Sequence, residues 1–144
     1  MIRLVETIPA TIDRVWAELA DLGSHGEWMS DAAEVEFEGG PQSGPGARMK
    51  VATAIGPFRV TDSMTVVEWI EGSSIVVEHT GSVSGTGRFD LAPDPDGTRL
   101  TWTEDLAFPW WLGGRLGAWV ATPIMKKVWR SSLAELSARV LSAP

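Results

Sequence analysis

Apolar and polar positions change their period twice along the chain, and each period predicts a different element. Arg3 to Ile8 reads as a strand that Pro9-Ala10 ends. Thr11 then stands as a helix N-cap with Asp13 in the first turn. Ile12, Val15, Trp16 and Leu19 follow at i, i+3, i+4 and i+7, one buried helical stripe that Gly23 stops. Ser24 to Met29 predicts a second short turn of helix carrying Trp28.

From Glu34 the period falls to two. Glu34 to Glu38 resumes strand character, and the Gly- and Pro-dense run from Gly39 to Gly46 is a loop. Met49, Val51 and Ile55 share a face opposed to Arg48 and Lys50, and Gly56-Pro57 turns the chain. Phe58, Val60, Met64 and Val66 alternate with Arg59, Thr61, Ser63 and Thr65, as in a half-buried antiparallel strand. Glu71-Gly72 leads into Ile75, Val77 and His79, and Phe89 and Leu91 oppose Arg88 and Asp90. Pro93 to Gly97 is a turn, after which Leu100, Trp102, Leu106 and Phe108 alternate with Thr101, Thr103 and Asp105.

The last apolar stripe is helical again: Met125, Val128, Trp129, Leu133, Leu136 and Val140. Thr122-Pro123 either opens this helix, as N-cap and first residue, or kinks one that runs from about Leu112. The order of elements predicts an α+β domain, a sheet curling against one closing helix with an apolar hollow between them.

Composition narrows the chemistry. A chain of 144 residues fits one domain, 1–144, and buries roughly 68–70% of its unfolded surface without metal or disulfide. With no Cys and only His25 and His79, neither a His/Cys metal site nor a thiol nucleophile is expected, and no cofactor is implied. A net charge of −7 disfavours nucleic acid and adsorption to anionic membranes, and no apolar run is long enough for stable membrane insertion. The first ten residues lack a secretion signal, so a cytoplasmic location is the default expectation.

Three polar residues interrupt inward-facing apolar rows: Asp62, His79 and Glu104. Folding the last hairpin about Asp94 to Gly97 sets Glu104 opposite Gly87, with His79 two strands away, about 10 Å. Gly85 and Gly87 lie between them and leave room for a guest whose polar end His79 and Glu104 would meet. The plainer alternative places one or both near a strand end, solvated or paired with an Arg. Asp62 reads as structural and His25 as a surface loop residue.

The tryptophans divide similarly. Trp16 and Trp129 fit core stripes, while Trp28 is placed at a cavity mouth. Trp110 and Trp111 are adjacent and cannot both enter one core, so at least one faces a partner, a membrane surface or a ligand portal. Neighbouring Gly113, Gly114 and Gly117 would let the segment act as a lid; a homodimer contact through Trp110-Trp111, or a loop folded onto the sheet, is the competing reading.

Pro9-Ala10-Thr11 with Val15-Trp16, Trp28, Gly44-Pro45-Gly46 before a strand, Gly97-Thr98 before the last strand and the closing helix together form a pattern. On these residues the chain resembles the polyketide cyclase/dehydrase and lipid-transport family of the START-like (Bet v 1-like, SRPBCC) superfamily. The resemblance implies the helix-grip fold: a seven-stranded antiparallel sheet around a long C-terminal helix, two short helices after the first strand, and a deep apolar cavity. Such proteins bind lipids, sterols, polyketides or plant hormones, and some catalyse cyclisation or aromatisation. The expected cavity lining is Trp28, Met49, Met64, Val66, Val77, His79, Phe89, Trp102, Glu104, Leu106, Trp119 and Met125.

The expected function is therefore to hold a hydrophobic small molecule, as carrier or sensor. Two alternatives stand beside it: a cyclase- or dehydratase-like enzyme with Glu104 and His79 as acid and base, and a protein-interaction module without a ligand. The absence of Tyr, a common cavity donor in such proteins, weighs against the enzyme.

Overall fold

Alternation in the middle of the chain builds one continuous antiparallel sheet. Its strands are β1 (Ile2–Ile8), β2 (Ala32–Phe37), β3 (Arg48–Ile55), β4 (Phe58–Ile70), β5 (Ser74–Thr80), β6 (Ser84–Asp94) and β7 (Gly97–Ala107). They pair in the order β1-β7-β6-β5-β4-β3-β2, so the first strand closes on the last by a crossover. The computed structural model describes residues 1–29, 32–55 and 58–143, without the side chains of 32–34, 53–55 and 58. The expected Gly56-Pro57 turn and the facing of Ile55 and Phe58 thus lie outside the described residues.

The helices are α1 (Ile12–Leu19), α2 (His25–Trp28) and α3 (Gly114–Ser142), with 3-10 turns at Leu22–Ser24 and Trp110–Leu112. Thr11 caps α1, its hydroxyl accepting from the Arg14 amide, and Val15, Trp16 and Leu19 are its buried side chains. Helix α1 stops at Leu19, before the expected Gly23, because Ala20 to Ser24 tightens into the turn that feeds α2.

Pro123 lies inside α3, which decides between the two readings of its start. The Thr122 hydroxyl donates to the Ala118 carbonyl at 2.7 Å, back into the preceding turn, and so does not cap a new helix. Proline forfeits one backbone bond there, to the Trp119 carbonyl, and the helix continues. Met125, Trp129, Leu133, Leu136 and Val140 are buried, each such side chain worth about 1.5–3 kcal/mol.

The C-terminal half of α3 is tied down by polar contacts as well. Arg14 donates to the Val140 carbonyl at 2.6 Å and to that of Ala143 at 3.1 Å, serving helix-end acceptors. Arg139 pairs with Glu18 at 2.7 Å and Glu27 at 2.9 Å, joining all three helices.

A register shift at Val66/Glu68 re-phases β4. Strict alternation would turn Trp69 away from the face of Met64 and Val66. After the shift it pairs with Ile75 and meets Trp16 edge-to-face at 5.3 Å. Both indoles donate to Glu71, at 2.8 Å each, which holds its carboxyl below the ordinary carboxylate range.

Candidate functional site

The inner face of the sheet, α2 and α3 enclose a cavity of about 140 Å³. Met49, Met64, Val77, His79, Phe89, Trp102, Glu104, Leu106 and Met125 line it, all positions that the strand and helix periods aim inward. The wall also includes Leu22, His25, Met29, Val35, Val51, Val60, Asp62, Ile75, Val83, Phe108 and Trp129, which the expected lining omitted. Four of the five methionines are on this wall, a compositional signal of a deformable surface that alternation alone does not reveal.

Three expected lining residues stand elsewhere. Trp28 is buried behind the wall, its ring against those of His25, Phe89 and Trp102, so it is no cavity mouth. Its indole nitrogen has no hydrogen-bond partner among the described residues. Val66 lies further along β4 than Met64, toward the Trp16–Trp69 pair, within packed core. Trp119 is six residues before Met125 and therefore points about 120° away around the helix, into solvent.

The cavity's polar wall is built by register. Gly87 pairs with Glu104 and His79 with Gly85, so the side chains of His79 and Glu104 approach diagonally across β6. His79 Nε2 lies 3.1 Å from Glu104 Oε2, and Trp102 Nε1 donates to Glu104 Oε1 at 2.9 Å. The space above Gly87 is therefore occupied by the pair itself: a Cβ there would lie 2.7 Å from Glu104 Oε1 and 2.9 Å from His79 Nε2. This corrects the expectation that both glycines leave room for a guest. Glu104 is buried and paired with His79 and Trp102 rather than solvated or bound to Arg.

Burial opposes a charge on His79, but its hydrogen bond to Glu104 and the charges of Glu104 and Asp62 outweigh that cost. The His79 pKa stands above its ordinary 6.5. Asp62, itself on the cavity wall, accepts from the Ser82 amide at 2.8 Å.

His25 is no surface residue. The Leu22–Ser24 turn carries it inward, where Nε2 donates to the Leu19 carbonyl at 2.7 Å and the ring meets Trp28 at 4.9 Å. Polar, glycine-bearing neighbours conceal that turn in the sequence. Burial lowers its pKa below 6.5 despite the Leu19 carbonyl and the nearby Asp21 and Glu18 charges.

The two histidines consequently bias stability in opposite directions about pH 6.5. The raised His79 contributes fully below its unfolded value, and that contribution is lost as pH rises through the folded one. The lowered His25 contributes fully above the unfolded value, lost as pH falls toward the folded one. The stability deficit of His79→Gln should shrink with rising pH, and that of His25→Gln with falling pH. Denaturation at several pH values checks this; deficits that stay constant with pH would contradict it.

Among the described residues no three His, Asp or Glu side chains cluster as a metal site, and no helix is long and apolar enough to cross a membrane.

A profile described as "Polyketide cyclase / dehydrase and lipid transport" matches residues 1–141. The chain belongs to that family. The TTHA0849 protein from Thermus thermophilus shares its fold with a TM-score of 0.79 at 23% identity, over 98% of this chain and 97% of that one. The Zhui aromatase/cyclase from Streptomyces sp. R1128 superposes with a TM-score of 0.75 at 13% identity, over 96% and 92%. The di-domain ARO/CYC StfQ from the steffimycin biosynthetic pathway gives 0.75 at 14%, over 95% of this chain and 49% of its own. No curated protein matches the sequence. At these identities the three structures share a fold with this chain, and the cavity residues must speak for the chemistry.

Proposed function

We propose that this polyketide cyclase/dehydrase-family protein holds a hydrophobic small molecule in the cavity between the sheet and α3, as carrier or sensor. The observation that carries this reading is an apolar hollow of about 140 Å³ with one buried His–Glu pair on its wall. A dry cavity of about 150 Å³ accepts a benzene-sized guest, whereas drug-sized ligands need about 300 Å³ or more. The guest is accordingly a single ring or short branched chain with one polar end, unless the four wall methionines move to admit more. That polar end meets His79. A filled interior would have favoured the interaction module, and the hollow weighs the other way.

Calorimetric titration with 4-propylphenol and propylbenzene tests the reading. Both should bind saturably, with the phenol favoured about tenfold, the worth of one hydrogen bond of roughly 1.5 kcal/mol. Glu104→Gln should narrow that preference while sparing propylbenzene. Absence of binding by both compounds would end the proposal.

The same pair supports a second reading, acid–base catalysis on the bound molecule, because Glu104 is buried and hydrogen-bonded at both oxygens. On a true substrate, Glu104→Gln would then lower turnover by about 10²–10⁴-fold with apolar binding intact.

A further inference from the structure

The first half of α3 and the turn before it carry apolar side chains on the outside. Trp110 is 88% exposed, Trp119 75% and Leu116 68%, with Trp111, Val120 and Ile124 each more than half exposed. Leu116, Trp119, Val120 and Ile124 recur at helical spacing, so they form one outward stripe, opposite the buried Met125 and Trp129. None of the polar ties that anchor the helix's C-terminal half reaches this part among the described residues.

Charge is segregated here too. Every one of the 19 Asp and Glu residues lies outside positions 106–134, which hold Arg115, Lys126, Lys127 and Arg130. The protein's net charge of −7 therefore hides a segment of local charge +4. Arg115, Lys127 and Arg130 are exposed, and Lys127 and Arg130 continue the apolar stripe by one further turn.

We propose that this face docks on an anionic lipid surface. Indole rings settle at the boundary between headgroups and acyl chains, and cations beside an apolar stripe meet the phosphates. A second copy of the chain is a poorer occupant, because a two-fold contact through this patch would set the cations against themselves. The docked face adjoins the cavity: Phe108 and Met125 both line it, one on each side of the exposed segment in the chain. Docking thus brings that end of the hollow to the bilayer, where an apolar guest can pass without crossing water. The overall acidity repels the rest of the protein from the same surface and orients it.

Flotation of the unliganded protein with phosphatidylcholine vesicles, with and without phosphatidylserine, tests the docking independently of any guest. The protein should float with the phosphatidylserine vesicles, shift its Trp emission to the blue, and be released by salt. Trp110→Ser with Trp119→Ser should abolish flotation. Lys127→Gln and Arg130→Gln should each weaken it about fivefold, the worth of one cation near an anionic bilayer. All four positions are exposed, so the variants should stay folded, which circular dichroism checks. Equal flotation with phosphatidylcholine alone would overturn the proposal, as would no flotation. So would a dimer in sedimentation that Trp110→Ser dissociates.

Discussion

Gly85→Ala should destabilise the protein by about 3 kcal/mol or more, while Gly87→Ala, two residues on, should spare the fold and dismantle the site. The two glycines face different obstacles. At Gly85, φ is +141°, and an added Cβ would overlap the Asp105 carbonyl oxygen, which belongs to the backbone of the neighbouring strand. Strain of about 1–3 kcal/mol and overpacking of a similar size both apply there.

At Gly87 the atoms nearest the added Cβ are the ends of two side chains, Glu104 at 2.7 Å and His79 at 2.9 Å. Those ends swing away and the strand survives. The lost charge-assisted hydrogen bond, about 1.5–3 kcal/mol, is partly offset by the 0.5–1 kcal/mol or so that alanine gains over glycine in a strand. His79 should lose its raised pKa, which an NMR titration reads directly. A His79 that still titrates above its ordinary value in Gly87→Ala would show that the pair does not depend on the gap over β6.

Trp102→Ala should cost about 3–5 kcal/mol, measured as a shift in the urea midpoint. The residue is buried, its ring stacked on Trp129 at 5.1 Å and packed on Phe89 at 5.1 Å. Its removal enlarges the cavity beside the polar wall and strips Glu104 Oε1 of its donor. Trp102→Phe separates these effects. It keeps most of the ring and forfeits the hydrogen bond, at about 1–3 kcal/mol. Should Phe prove as costly as Ala, the ring packing would contribute little and the hydrogen bond would account for the whole effect.

Much of the candidate site is legible along the chain because a strand's period of two is local. Glu104 falls in phase with Trp102 and Leu106, and the turn at Pro93 to Gly97 sets it against Gly87, as the register bears out. His79 follows from Ile75 and Val77 in the same way. The periods do not report what a neighbouring strand brings across. Gly87 looks like empty space in the sequence, and its emptiness is filled by side chains from strands on either side.

His25 and Trp69 show the same limit at turns and bulges. A 3-10 turn carries the histidine under the sheet, and a one-residue slip in β4 carries the tryptophan to the inner face. Each depends on how one segment packs on another, for which Gly, Ser and Val at those positions carry no distinctive signal.

By itself the sequence determined the element types, the antiparallel sheet and the inward positions of most cavity residues, since repeats of two and 3.6 act within a few residues. Only the tertiary structure decided that Trp119 faces solvent, that Trp28 sits behind the wall and that His79 reaches Glu104. The reason is physical: a helix presents every side somewhere, and which side is buried depends on the elements packed against it, which put Met125 inside and leave Trp119 outside.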